Sequence, residues 1–244
     1  ILDSNNDGAT DRIYATDVGG NVWRMDLDGA DMSQWSGYKF AELGGSTLTS
    51  DRRFFAEPAV AQTMFSNISE VEVTDETGTT TTVVHQNVPY DAVAIGSGNR
   101  PHPTGHDISD KFFVLQDRNV TTRSLVGEAI PEVIDLSLLY NVTSAPPVTE
   151  AENISFGTKL GWYYDFTAAG EKSLTAALII DGKVFFTSFV PSVNDISDQV
   201  CSSSGQGRLY IFDLHISFTY FIYIFQNLFI ELEVIYYNHF LFTQ

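Results

Sequence analysis

One pattern recurs along this chain: a short aromatic or β-branched run that ends in aspartate. It reads RIYATD at 12–17, VWRMD at 22–26, FFVLQD at 112–117 and LYIFD at 209–213. Runs of this length and composition, cut by Gly, Asn, Asp and Pro, predict short β-strands joined by tight turns. RIYATD and NVWRMDL flank Val18-Gly19-Gly20, which reads as a hairpin turn, because glycine accepts the positive φ such a turn needs. VEVTDETGTTTTVVHQ (71–86) repeats the scheme with its tip near Glu76-Thr77-Gly78. YDAVAIGSG, KFFVLQD, GWYYDFT, LTAALIIDGKVFFTSFV and GRLYIFDL continue the series, the first as a buried strand that ends in a glycine turn.

The expected fold is therefore all-β. Two architectures accommodate many short strands: a β-sandwich, and a β-propeller of four-stranded antiparallel blades. Recurrence of the Asp-ended strand favours a propeller, here a partial one with long inter-blade loops such as residues 28–57 and 140–160. The best helical period is short, at residues 130–140 (IPEVIDLSLLY).

This organisation predicts a β portion over residues 1–214 and an atypical tail over 215–244. The tail, HISFTYFIYIFQNLFIELEVIYYNHFLFTQ, has no Gly, Pro or Asp and is crowded with Phe, Ile and Tyr. A membrane helix, a terminal strand pair and non-native read-through are three readings of it, of which the third is favoured. Gln226, Asn227, Glu231 and Glu233 interrupt the run before about 20 apolar residues accumulate, so stable transmembrane insertion is not expected.

Charge narrows the function classes. Lys plus Arg number 13 against 31 Asp plus Glu, a formal net charge of -18. Such a surface repels a phosphate backbone and disfavours nucleic acid, while it suits cations. The one cysteine, Cys201, can close no internal disulfide and offers no zinc cluster.

The sharpest local signal is DSNNDGATD at residues 3–11. Asp3, Asn5 and Asp7 alternate, Gly8 follows, then Ala9 and Asp11. Calcium takes six to eight hard oxygen ligands, and EF-hand loops supply them from alternate positions with a glycine at the sharp turn. In that spacing Asp3, Asn5 and Asp7 fall at the first, third and fifth places. Ala9 would lend its carbonyl at the seventh, and Asp11 stands at the ninth. The twelfth place is Tyr14 rather than a bidentate Glu, so Asp11 and water would have to close the shell. The loop also runs into a strand where an EF-hand runs into a helix. A solvated turn rich in Asx residues is the alternative. Magnesium and zinc fit the donor set less well.

Nothing else amounts to a catalytic constellation, and the chain is expected not to be an enzyme. His102, His106 and Asp107 share a loop that Pro101 and Pro103 keep from being helical, and an exposed loop is expected there. IGSG (95–98) lacks the Lys and the helix of a phosphate loop. Trp23 and Trp162 lie in strand patterns and are expected in the core. Glu150 and Glu152 read as solvated residues of a polar loop.

Three stretches resemble the C-terminal β-propeller of the PilC/PilY-type proteins of type IV pili. They are DSNNDGATDRIYATDVGGNVWRMDL, then YDAVAIGSGNRPHP with DKFFVLQD, then GWYYDFTAAGEKSLTAALIIDGKVFFTSFVP with CSSSGQGRLYIFDL. The third is the most specific, because its elements recur in that order. The resemblance spans residues 1 to about 214, and it implies a quinoprotein-like propeller whose earlier blades precede this portion. It implies a secreted, non-enzymatic protein at the pilus tip or outer membrane. Such a protein acts in pilus assembly, control of retraction (twitching motility) and adhesion. Minor pilins or other tip components, and a host or abiotic surface, would be its partners. Calcium is the implied ion, carried over onto Asp3, Asn5, Asp7, the Ala9 carbonyl and Asp11. A quinone-dependent dehydrogenase on a propeller and a generic interaction module are the alternative functions.

Overall fold

The computed structural model describes residues 1–27, 29–75, 78–144, 146–192, 205–215 and 221–225. Its strands are β1 (Arg12–Thr16), β2 (Asn21–Asp26), β3 (Ser36–Glu42), β4 (Ala59–Asp75), β5 (Gly78–Gly96), β6 (Lys111–Asp117), β7 (Tyr140–Asn141), β8 (Gly161–Asp165), β9 (Leu178–Ile180), β10 (Lys183–Pro191), β11 (Gly205–Asp213) and β12 (Phe221–Phe225). One helix, α1 (Glu150–Thr158), lies between β7 and β8. No helix among the described residues is long and apolar enough to cross a membrane.

The strands form three sheets: β1-β2-β3, β4-β5-β6-β8-β7, and β12-β11-β10-β9. All pairings are antiparallel except the short β7–β8 pair. The all-β expectation holds. The sheets have three, five and four strands rather than a uniform four.

Sheet order follows from alternation along the central strands. On β6, Phe112 and Val114 face one way and join a core with Trp162, Tyr164, Val184, Phe186, Tyr210 and Phe212. Phe113 and Leu115 face the other way, into a second core with Tyr14, Val22, Tyr38, Phe40, Val93 and Ile95. The five-stranded sheet is thus covered on both faces, which is why KFFVLQD is buried at every position and its centre, Phe112 to Leu115, is a continuous apolar run. Aromatic rings carry the seam to the four-stranded sheet. Phe112 stacks on Phe186 at 3.6 Å between centroids, and Phe186 stacks on Tyr210 at 4.8 Å.

The seam to the three-stranded sheet is ionic as well as apolar. β2 alternates in the expected period of two, but with an inverted assignment: Val22, Arg24 and Asp26 are buried while Trp23 and Met25 are exposed. Arg24 reaches across to Asp117 at 2.5 Å and back to Asp26 at 2.9 Å. Arg12 pairs with Asp26 at 3.1 Å and with Asp91. Both guanidinium groups also donate to the carbonyl of Thr122, at 3.1 and 3.0 Å. The Tyr14 hydroxyl lies 2.9 Å from Asp91 and 2.7 Å from Asp117. Trp23, expected in the core, is therefore on the outer face, with its indole N–H donating to Asp17 at 2.8 Å. Trp162 is fully buried as expected and donates to the Leu214 carbonyl at 3.2 Å.

Two further expectations are corrected. Residues 130–140 are not an α-helix: the segment makes one 3-10 turn at Leu136–Leu138, and Ile134 pairs with Ala41. The Asp135 carboxylate accepts the Ser137 N–H and closes that turn locally, which competes with helix growth. Glu150 and Glu152 are not in a loop but in the first turn of α1. Thr149 caps the helix, and Glu152 reaches back to the Thr149 N–H at 2.8 Å, a reciprocal capping box.

The β1–β2 turn matches expectation, while Glu76 and Thr77, expected near the tip of the second hairpin, lie outside the described residues. Gly20 sits at φ +77, and an added Cβ would lie 2.5 Å from Gly44. The β4–β5 hairpin is long, and from Asn67 and Gln86 onward it projects as a mostly exposed two-stranded arm about 30 Å in length. His215, read as the first residue of the tail, is held by Tyr90 at 3.1 Å and Thr63 at 3.3 Å. Part of the tail, β12, pairs with β11. Cys201, residues 216–220 and residues 226–244 lie outside the described residues.

Removing one partner from a buried ion network leaves the others uncompensated, at a cost of about 3–5 kcal/mol. Arg24→Ala should lower unfolding free energy by about that much, whereas the outward Trp23→Ala should cost about 1 kcal/mol or less. Denaturant titration of both variants reads the contrast.

Candidate metal centre in the N-terminal loop

Leu2 and Arg12 close the loop by an antiparallel bridge, with Leu2 N–H to Arg12 carbonyl at 2.8 Å and Arg12 N–H to Leu2 carbonyl at 3.1 Å. The Asp11 carbonyl accepts the Leu27 N–H at 2.8 Å, which ties the loop to the end of β2. Arg12, the first residue past the loop, is itself fixed in the ion network below. The loop thus has rigid ends and an exposed centre.

Within it, the side chains serve backbone amides. Asp3 accepts the N–H groups of Asp7 (3.2 Å) and Gly8 (2.8 Å), one on each oxygen. Asn5 Oδ1 accepts the Asp7 N–H at 2.9 Å. Asp7 accepts the Ala9 N–H at 2.8 Å and the Asn5 amide at 3.0 Å. Positive φ at Asn6 (59°) and Gly8 (89°) lets the chain curl around these acceptors. Asp11 stands apart from that group: its Oδ2 accepts both the N–H and the hydroxyl of Ser4, at 2.7 and 2.5 Å. The Ser4 hydroxyl, more than any other group, holds the Asp11 carboxyl below its usual range.

The loop therefore brings Asp3, Asn5, Asp7 and Ala9 into one hydrogen-bonded arch and draws Asp11 to Ser4. The donors are hard oxygens, the chemistry calcium takes, and a carboxylate oxygen that accepts one N–H keeps a further lone pair. As the loop stands, no group of three or more His, Cys, Asp or Glu among the described residues could hold a metal ion. His102 and His106 lie in an exposed loop, as expected, with His106 Nδ1 3.2 Å from the Ala169 carbonyl.

The residues that anchor this loop to the protein, Arg12 and Arg24 with Asp26, Asp91 and Asp117, escaped the sequence reading as a group. Their one local signal is the phase of β2, where Arg24 and Asp26 share the face of buried Val22. Asp91 and Asp117 come from strands far along the chain, and nothing local announces the pairing.

Comparison with known proteins gives one curated relative. The chain is 25% identical over 220 residues to a protein described as a type IV pilus biogenesis factor PilY1 homolog, from Xylella fastidiosa. The match covers 87% of this chain but 14% of that relative. The chain is thus related to PilY1-type proteins along most of its own length and corresponds to a small part of theirs. No protein-family model and no solved structure matches it.

Asp3→Ala would strip the Gly8 amide of its acceptor, while the Asp7 amide keeps Asn5 Oδ1. Hydrogen exchange at the Gly8 amide should accelerate by roughly an order of magnitude, while amides of β1 and β2 stay protected.

Proposed function

We propose that this chain is a non-enzymatic, calcium-binding section of a type IV pilus biogenesis protein, acting at the cell surface or pilus tip. The arch at residues 3–11 carries the reading: hard oxygen donors on a loop with fixed ends, in a chain related to a pilus biogenesis factor. Asp3, Asn5 and Asp7 would hold the ion through side chains, Ala9 through its carbonyl, and Asp11 after giving up part of its bond to Ser4. Clustered carboxylates repel one another, and a divalent cation among them turns that repulsion into attraction.

The three stacked sheets support a propeller section, with each sheet a blade packed face to face on the next. In that arrangement the calcium loop enters the first sheet, and its Arg12 end is locked to the second. A change at the loop would reach the sheet seam through Arg12. That coupling is a route by which calcium could act on pilus extension or retraction. Adhesion to a host or abiotic surface, and contact with minor pilins, belong to the same proposal.

Calorimetric titration with calcium should give a saturable heat, and Asp7→Ala should abolish it. Magnesium should give little, because it dehydrates reluctantly and demands a tighter octahedron. A folded wild-type chain that takes up no calcium would sink the metal part of the reading. In cells, Asp7→Ala in the whole protein should alter surface piliation and twitching. Unchanged piliation after loss of the whole gene would sink the pilus part.

A further inference from the structure

The β4–β5 hairpin leaves the stacked sheets as an arm about 30 Å long. β4 and β5 pair along their whole length, from Asp75 and Gly78 at the tip to Ala59 and Ala94 at the base. β6 takes the other side of β5 only from Asp91 onward. Residues 78–90 therefore present one row of backbone N–H and C=O groups with no strand against it among the described residues. A long exposed edge of this kind is a template for another strand, and proteins guard such edges with charge, proline or a cover.

The two edges of the arm are guarded differently. β4, the outer strand, carries exposed Glu70 and Glu72 toward the tip. Helix α1 packs over its base, where Phe65 meets Phe156 edge-on at 6.5 Å. β5 reads GTTTTVVHQNVPY from Gly78 to Tyr90, with no Asp, Glu, Lys or Arg. Pro89 stands at its root, and Gly78 to Thr82 are exposed. Glu70 and Glu72 lie opposite Val83 and Thr81 on β4, so a strand added at β5 would run two strand spacings, about 10 Å, from them.

Charge and reach select the occupant. A strand bearing charge of either sign would find no counter-ion along this edge, so the edge suits an uncharged strand rich in β-branched residues. β5 itself fits that description. Two copies paired antiparallel about Thr82 set Thr82 against Thr82, Thr81 against Val83, Thr80 against Val84, Thr79 against His85 and Gly78 against Gln86, with no like charges opposed. A net charge of -18 opposes contact between the bodies of two chains. The arm removes that obstacle. Antiparallel arms overlap along their length and leave the two bodies at opposite ends, about 30 Å apart, against a screening length of about 8 Å at physiological ionic strength. We propose that the β5 edge is a self-association surface, through which two copies of this chain join by two-fold antiparallel pairing into one four-stranded arm sheet, β4-β5-β5-β4.

A contact made by one strand edge is small and belongs to the weak, transient class, so concentration reads it. Sedimentation velocity of the 244-residue chain at physiological ionic strength, from about 1 μM to about 1 mM, should show a monomer giving way to a dimer. Hydrogen exchange in residues 79–86 should slow as the dimer forms. Thr80→Lys with Thr82→Lys sets like charges across the two-fold and should weaken association by roughly tenfold or more, and the matching pair of glutamates should do the same. An equimolar mixture of the lysine and glutamate variants should dimerise again, which an arm that had merely unfolded would not do. Glu72→Lys, on the guarded strand, should leave association within about twofold of wild type. A chain that stays monomeric over the whole range would overturn the proposal and leave the edge to a strand of another polypeptide. A dimer that neither charged pair weakens would overturn it as well, because the contact would then lie elsewhere.

Discussion

A buried electrostatic knot at one sheet seam is the constraint on which the rest of this structure depends. Two guanidinium groups, three carboxylates and one phenol lie together between β1–β2 and β5–β6, nearly inaccessible to water. The charges do not cancel: two cations face three potential anions. The Tyr14 hydroxyl has one proton and two carboxylate neighbours, Asp91 and Asp117. Burial raises the Asp91 carboxyl above its usual range despite Arg12. Such a cluster is weak evidence for stability against an apolar alternative, but it tolerates no missing member. It also fixes register, because a one-residue slip of β2 would put Trp23 where Arg24 belongs.

The Asp-ended strand, which first suggested repeated sheets, resolves into several jobs. Asp26 and Asp117 are two of the three anions of the knot. Asp17 organises the β1–β2 turn, accepting the N–H groups of Gly19 and Asn21 and the indole of Trp23. Asp213 accepts the His215 N–H after β11. What these share is position: a strand that leaves the core at a turn has free amides or cations nearby, and a carboxylate there finds a donor. The sequence repeat therefore reports a common geometry rather than a common chemistry.

Legibility in the sequence followed the range of the interaction. Strands β1, β2, β5, β6, β8, β10 and β11, and the turns between paired neighbours, rest on contacts a few residues apart and were readable. The capping box at Thr149 and Glu152 was readable too, from T-x-x-E, but the polar composition around it masked the signal. Trp23 was misplaced because hydrophobicity alone puts tryptophan inside; only Asp117, which pairs with Arg24 from 93 residues further on, reverses that order. At the candidate site, the spacing of Asp3, Asn5, Asp7 and Ala9 foretold one arch, whereas the attachment of Asp11 to Ser4 depends on how Leu2 and Arg12 close the loop. A cavity around Asp110 joins residues from three separated segments and has no signature in any one of them.

The seam also has a direction in time. Sheet β1–β3 leaves the ribosome well before the strands that carry Asp91 and Asp117. Until synthesis has passed residue 91 Arg12 has no anion across the seam, Arg24 waits for residue 117, and the inner face of that first sheet stays uncovered. Because its closure depends on such distant segments, assembly is slow in principle and the half-made chain stays exposed. The first sheet of this section thus closes only after its more distant strands are made, and any factor that shields a nascent β-sheet would act on that open face.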